Sequence, residues 1–450
     1  MADQPIAGSQ LAQALSLPVA ASTVDALVDY YDEPAWMREA RLNAWDLYTE
    51  MEWPHAKAEA WRRVPLRKFP LDQHAVKIAP QPAQQLADLP PCWVDPLAPE
   101  SHVAGLLVHR NGAVSYHRVK ADVAQQGAVF IDLHQALQTH GELIRRYWMQ
   151  GQTARPDFNR FTALNGALWH GGTFVHVPAG VRLAQPLQSL VGYDEEGGVG
   201  LHHTLVIAER GSRVTLLQDR RSYESAPRLN AEVVEIYAEA GAWVRYASLQ
   251  HWGEQRYTVS VQNVRLARDA HLIWAGASLG GRATKEFLRT DLAAPGAHAE
   301  MRGFTFVAGE QYLDQSTYQH HQVEQTYSDL LYRNVLRDTA RTAFYGMIRV
   351  EPNAQGTEGY QANNNLLLDD PHAHAIPGLE IIANDVICSH GATVSRLDDE
   401  QLFYLRARGI PRAEAEHLIV RGFLRPITGR MPLACIRERL DEEISRRFWR

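Results

Sequence analysis

The chain has 450 residues, 45% of them hydrophobic and 22% charged, with a formal net charge of −7. Its apolar fraction is ordinary for a soluble globular protein and its length allows a sizeable core, which excludes a wholly disordered or collagen-like chain. The mild acidity argues against a nucleic-acid partner, which usually demands a basic excess.

Residues 1–23 hold no positive region followed by an apolar core, so no signal peptide is expected. Nor does any stretch approach the ~18 apolar residues of a membrane span, so no membrane partner is expected and the chain reads as cytoplasmic. Ser22 and Thr23, ahead of Val24, Ala26, Leu27 and Tyr30, suit the N-cap of a first helix. Across residues 34–53 the apolar side chains Trp36, Met37, Ala40, Ala44, Leu47, Tyr48 and Met51 recur at helical steps. Residues 70–101 then carry Pro70, Pro80, Pro82, Pro90, Pro91, Pro96 and Pro99, a density that forbids helix and marks a linker or irregular crossing strand.

From about residue 103 to 394 the period becomes two, as in the runs 173–177, 201–207, 213–217 and 231–237, with one helical interruption expected over 132–149. Within this region Gly180-Val181-Arg182-Leu183 is echoed by Gly211-Ser212-Arg213-Val214, Gly241-Ala242-Trp243-Val244, Asp269-Ala270-His271-Leu272 and Gly296-Ala297-His298-Ala299. The starts are 31, 30, 28 and 27 residues apart, and each places a turn residue able to take positive φ before a strand. A beat near 30 fits the coil of a β-helix better than a β-sandwich, whose turns come about every 8–12 residues. Asn363-Asn364-Asn365 is either an amide ladder between stacked strands or a plain polar turn. Helix returns with Asp398 to Gln401 at a helix start, Gly409 as its stop, Pro411 in the next first turn, an end near Gly422, and a last helix over about 433–448. The resulting division is 1–101, helical with a Pro-rich linker; 102–394, strands; and 395–450, helical.

No phosphate-binding loop of the G-x-x-x-x-G-K-[ST] type, G-x-S-x-G, H-E-x-x-H or C-x-x-C is present. Cys92, Cys388 and Cys435 are far apart and odd in number, which excludes a disulfide framework. Only five lysines, at 57, 68, 77, 120 and 285, stand among 45 basic residues, so the positive charge is nearly all arginine. That bias suits planar bidentate partners or simply reflects a GC-rich genome. His202-His203, His320-His321 and His372-x-His374 are pairs expected by composition alone in a chain with 20 histidines. On a strand, Cys388 and His390 share a face about 6–7 Å apart. Thiolate and imidazole suit iron, zinc or copper, and a nearby imidazolium lowers a thiol pKa; the alternative is a small apolar Cys filling a coil beside a hydrogen-bonded His. An iron–sulfur cluster needs four protein ligands, so two donors make at most a half-site.

At this motif the chain resembles the SufB/SufD family of the SUF iron–sulfur cluster assembly scaffold. The likeness covers most of the chain and is carried by Val335-Leu336-Arg337-Asp338, Gln361-Ala362-Asn363-Asn364-Asn365-Leu366-Leu367-Leu368, Pro377-Gly378-Leu379-Glu380-Ile381 and Cys388-Ser389-His390-Gly391-Ala392-Thr393. Gln401-Leu402-Phe403-Tyr404-Leu405 with Arg408-Gly409-Ile410, and Glu59-x-Trp61-Arg62 with Pro65-Leu66, add to it. The resemblance implies a right-handed parallel β-helix core flanked by N-terminal and C-terminal α-helical regions, acting as a non-catalytic scaffold subunit. It implies pairing with a B-type (SufB-like) homologous subunit and docking of an ABC-type (SufC-like) ATPase through Leu402, Phe403, Tyr404, Leu405, Arg408, Gly409 and Ile410. It also implies that Cys388 and His390 handle iron or a nascent cluster, held only transiently at the subunit interface with no stably bound cofactor. B-type members carry Cys directly after the Gln matching Gln361 and Glu directly after the His matching His390. Ala362 and Gly391 stand there, which matches the D type. A homodimer is expected when the chain is isolated. Competing expectations are a stand-alone metal-binding β-helix protein, or a polysaccharide-active enzyme, for which only Asp369-Asp370 offers paired carboxylates.

Overall fold

In a computed structural model, residues 14–55, 57–64, 74–223 and 228–449 are described; Pro65, Leu66 and Pro70 lie outside them. The chain begins with β1 (Leu15–Pro18), α1 (Ala21–Tyr31) and α2 (Ala35–Glu50). Ser22 and Thr23 lie inside α1 rather than at its cap, which is Ala20, because the Thr23 hydroxyl donates backward to the Pro18 carbonyl at 2.5 Å. The proline-rich stretch, where helix was not expected, holds β2 (Ala75–Ile78), the short helix α3 (Pro91–Val94) and 3-10 turns at Leu86–Asp88 and Glu100–His102; Pro91 can open α3 because a first-turn N–H has no helical partner. Next come β3 (Gly105–Arg110), β4 (Ala113–Val119), α4 (Ala121–Gln125), β5 (Val129–Asp132), α5 (Leu133–Tyr147) and α6 (Arg160–Leu168). The expected helix at 132–149 is α5, capped by Asp132 through the backbone N–H groups of His134 and Gln135. Helices α4 and α6 are not among the elements expected from the sequence; α6 is buried at every residue from Phe161 to Leu168 and shows no amphipathic stripe to find.

The strands then run β6 (Gly171–Val177), β7 (Leu187–Tyr193), β8 (Gly198–Val199), β9 (His202–Ala208), β10 (Arg213–Ser222), β11 (Arg228–Ala238), β12 (Trp243–His251), β13 (Arg256–Leu266) and β14 (His271–Ser278). They continue as β15 (Ala283–Leu292), β16 (His298–Val307), β17 (Tyr312–His321), β18 (Tyr327–Leu336), β19 (Arg341–Val350), β20 (Thr357–Leu367), β21 (His372–Ile381) and β22 (Val386–Arg396). Among the described residues, even-numbered strands from β10 to β22 stack in parallel on β7, β3 and β4. Odd-numbered strands from β9 to β21 stack on β6 and β5, and β1, β2 and β8 form a small third sheet. Each coil contributes one strand to each large sheet, giving a parallel β-solenoid of about eight turns. The expected repeat supplies its corners: Gly180, Gly211, Gly241, Asp269 and Gly296 all take positive φ, and Gln325 and Gly356 extend the series.

Central strands are buried on both faces yet mix apolar and polar side chains: β11 is buried throughout although it carries Arg228, Asn230, Glu232 and Glu235. Helices α1, α2, α5 and α6 cover the outer face of the odd-strand sheet. After β22 the chain forms α7 (Asp399–Ala407), α8 (Arg412–Thr428) and α9 (Ala434–Trp449). Pro411 is the residue before α8 rather than part of its first turn, and α8 runs past Gly422 to Thr428. The reason is tertiary: Leu424 and Ile427 on that extension join Val420, Leu440 and Ile444 against Phe304, Phe306, Val335 and Leu366 of the even-strand sheet. Leu424→Ala should therefore destabilise the protein by about 2–5 kcal/mol in urea unfolding. Leu418→Ala on the same helix, 41% exposed, should change it by under about 1 kcal/mol.

Inside the solenoid an apolar cluster from Val175 to Phe344 runs beside buried polar groups. Arg220 donates to Ser248, Gln218 and Tyr246, each at 2.8 Å, and its Nε lies 3.2 Å from Glu232 on the opposing sheet. Both Glu232 oxygens lack a well-aligned hydrogen bond. Burial outweighs the attraction of Arg220 and pushes its carboxyl up to about 7. A raised acid contributes stability that is complete below its unfolded value near 4.5 and lost as pH rises through about 7. Replacing Glu232 by Gln should flatten the fall of the urea midpoint between about pH 4.5 and 7 relative to the native chain; parallel profiles would contradict this account.

Candidate functional site

Cys388 and His390 are alternate residues of β22, so their side chains share one face. In register, Cys388 stands beside Gly359 of β20 and His390 beside Gln361. Packing settles where the thiol lies: Cys388 packs against the buried cluster of Ile348, Val350, Ala354 and Ala383, on the lumen side of the strand. Gly359 gives it room. A Cβ there would sit 3.3 Å from Cys388 Sγ and 3.4 Å from His321 Nε2, so the thiol and that imidazole flank one point. His321 belongs to β17 of the opposite sheet, and nothing in sequence spacing joins it to Cys388.

The electrostatics differ from a thiolate–imidazolium pair. Burial raises the Cys388 thiol above its ordinary range, with the Gly359 backbone hydrogen bond pulling the other way. Burial, with repulsion from His320, lowers His321 to about 3, so the ring is neutral near pH 7. Its two nitrogens are hydrogen-bonded at 2.7 Å to Thr326 and Ser328. His390, by contrast, is exposed. Its strand neighbour Gln361 is 2% exposed with neither amide atom hydrogen-bonded, which leaves polar capacity unspent at this end of the lumen. In the sequence Gln361 is one member of a motif; its buried, unpartnered state is a tertiary fact. The Asn triplet does ladder: Asn334 donates to Asn365 at 2.9 Å across strands, and Asn365 donates to Asn363 at 2.7 Å.

This site occupies the last coil, which nothing among the described residues covers. Strand β22 pairs only with β20, and β21 only with β19. Ile376, Ile381, Ile382, Ile387 and Val394 of that coil are all at least 40% exposed. On the adjoining α7, capped by Asp398, Leu402 is buried and Leu405 half-buried, while Phe403 and Tyr404 are 74% and 59% exposed. Arg408 lies 5.2 Å from the Tyr404 ring, Gly409 takes φ 88° at the helix stop, and Ile410 is half-buried.

The remaining histidines have other work. His202 bonds Thr173, His203 bonds Asn165 and Glu235, and His320 bridges Asp291 and Glu351. His372 and His374 are exposed on β21. Cys435 packs against apolar clusters, whereas Cys92 is exposed. Asp369 pairs with Arg337 and Asp370 with Arg396, rather than forming an acid–base couple in a cleft. Among the described residues no group of three or more His, Cys, Asp or Glu could hold a metal, and no helix is long and apolar enough to cross a membrane.

The fold and site are thus a parallel β-solenoid with helical flanks whose last coil, uncovered among the described residues, bears a thiol and an imidazole. Residues 191–423 match the family described as "SUF system FeS cluster assembly, SufBD core domain", and residues 27–189 match "SufBD protein N-terminal region". The chain belongs to this SufBD family of the SUF iron–sulfur cluster assembly system. Relatives described as iron–sulfur cluster assembly SufBD family proteins in Staphylococcus epidermidis, Staphylococcus aureus and Staphylococcus haemolyticus are each 27% identical over 413 residues, covering 89% of this chain and 87% of theirs.

A raised thiol pKa means little thiolate at neutral pH. Cys388 should therefore be alkylated by iodoacetamide more slowly than exposed Cys92 at pH 7.5, read by peptide mass spectrometry. Equal rates would contradict the burial assigned to its sulfur.

Proposed function

We propose that this chain is the D-type, non-catalytic scaffold subunit of a SUF assembly complex. On this reading it pairs with a B-type homologous subunit through its last coil and contributes Cys388 and His390 to a shared site for iron or a nascent cluster. The observation that carries the reading is the juxtaposition of those two donors with two unpaired strand edges and a row of exposed isoleucines. Unpaired edges are templates for another strand, and exposed aliphatic surface of this extent marks an interface. Two donors cannot satisfy a cluster that needs four, so a partner's ligands complete it.

The D-type assignment rests on Ala362 and Gly391. These are direct register partners across β20 and β22, so the positions where B-type members carry Cys and Glu are here adjacent and both without a functional group. The chain has no nucleotide-binding loop, so ATP-derived work must come from an ABC-type ATPase. The exposed Phe403 and Tyr404, with Arg408 beside them, fit its docking surface within the helical region 395–450. ATPase dimerisation would then act on α7 and α8, next in sequence to the site. In isolation the same bare edges favour a homodimer.

Co-expression with a B-type subunit and the ATPase tests this. Phe403→Ala with Tyr404→Ala should remove the ATPase from the purified complex while leaving the B-type subunit bound. His390→Ala should leave all subunits associated yet reduce cluster formation, followed by the visible charge-transfer absorbance, by tenfold or more, on the order of the effect of losing a metal-site group. Undiminished cluster formation in that variant would remove His390 from the site.

A further inference from the structure

The N-terminal helices meet the first coil along one buried polar seam. Arg41 of α2 is fully buried, holds the Glu33 carboxylate in a fork of two 2.6 Å bonds, and donates to the Ala167 carbonyl at 3.0 Å. The His134 ring of α5 is inserted beside them, between Tyr31 at 3.4 Å and Trp169 at 4.0 Å, both stacked on it. Arg41 lies 4.5 Å from the centre of the same Trp169 ring. The next residue, His170, is also wholly buried, and the Tyr31 hydroxyl donates to its carbonyl at 2.9 Å. Its ring is wedged under the β3–β4 turn, where a Cβ on Gly112 would stand 2.4 Å from it.

Hydrogen bonding assigns the proton on each ring. His134 Nδ1 faces the Glu33 carboxylate at 3.1 Å and His170 Nδ1 faces the Leu168 carbonyl at 3.2 Å; both partners are acceptors, so Nδ1 carries the hydrogen. Both Nε2 atoms are buried without a hydrogen-bond partner. A second proton would enter at a nitrogen that faces no acceptor, an unpaired charged donor away from water. Burial lowers both imidazoles, and repulsion from Arg41 adds to it; His170, which also faces His134, stands at about 4. Glu33 and Asp132 of β5 act on His134 in the opposite sense without reversing the shift. Their charges are already engaged, Glu33 by Arg41 and Asp132 by His109 of β3 at 2.9 Å. His202 of β9, also buried, repels His170 when both are charged.

We propose that His134 and His170 form an acid-sensitive latch, whose protonation releases α1 and α2 from the first coil while the stacked strands beyond it stay folded. A solenoid coil contacts only its neighbours, so a layer at one end opens without unfolding the rest. Release uncovers Phe161, Leu164 and Leu168 of α6, which share one apolar cluster with Val24, Leu27 and Ala44 of the departing helices. A freed histidine titrates near 6.5 and the latched His170 at about 4, so the latch is fully closed above about pH 6.5 and weakens as pH falls toward 4. His170 alone raises the open population about tenfold between pH 7.5 and 5.5, and His134 adds in the same direction. The latch lies at the opposite end of the solenoid from Cys388, so its failure leaves the assembly role untouched.

Hydrogen–deuterium exchange of the full chain at pH 7.5 and 5.5, corrected for intrinsic amide rates, tests the latch. Opening of α1 and α2 should rise about tenfold or more at pH 5.5 while strands β13 to β17 keep their protection. His134→Gln with His170→Gln should remove most of that pH dependence, since an amide fills the site without titrating. His170→Gln alone should reduce it severalfold and keeps the test valid should the double variant be unstable. On the native chain, the nitrogen-15 shifts of His170 at pH 6 should report a neutral ring protonated on Nδ1. Equal opening at both pH values, protection lost evenly across the strands, unchanged pH dependence in a folded variant, or an imidazolium at His170 at pH 6 would each overturn the proposal.

Discussion

Strands in a solenoid carry backbone donors and acceptors directed both up and down the axis, and each coil is stable only because its neighbours accept them. In this chain that requirement is met for about eight turns by in-register parallel pairing. At the N-terminal end it is closed by antiparallel strands, β4 on one sheet and β5 on the other. At the C-terminal end it is left open. The outward groups of β21 and β22 have no partner strand among the described residues, and everything proposed about association follows from that asymmetry.

The same stacking explains why the two flanks differ in kind. N-terminal helices cover the odd-strand sheet and pack into its apolar outer face through residues such as Phe174, Leu205 and Ile207. C-terminal helices cover the even-strand sheet around Phe304 and Phe306, then leave α7 projecting with its aromatic pair bare. An exposed aromatic pair next to an uncovered coil gives two separate contact surfaces on neighbouring parts of one chain.

Much of this architecture is legible along the chain. The period-two runs, the recurring turn residues and the beat near 30 follow from strand and turn stereochemistry, which is local. The motifs around Cys388 and His390 are contiguous in sequence, so the family likeness is legible there too. Context decides the rest. Helix α6 is buried on all sides, so its sequence shows no amphipathic face. Helix α8 continues through Gly422 and Pro426 because its last turns pack on the sheet, an override that intrinsic propensity does not carry. A thiol activated by a neighbouring imidazolium is absent for the same kind of reason. The imidazole placed beside Cys388 is His321, neutral and hydrogen-bonded, on a strand of the opposite sheet.

The amino-acid sequence by itself determined the coil length, the positions of the corners, the absence of a nucleotide-binding loop and the family, because each depends on residues close together in the chain. Tertiary structure alone decided that Cys388 faces the lumen while His390 is exposed, that Gln361 is buried without partners, and that Ala362 and Gly391 are neighbours. It also brought Arg182, Arg213 and Trp243, about a coil apart in sequence, into one outward column. The physical reason is the parallel register. Stacking turns a separation of roughly thirty residues into a distance of about 4.8 Å, and no pattern read one window at a time contains that distance.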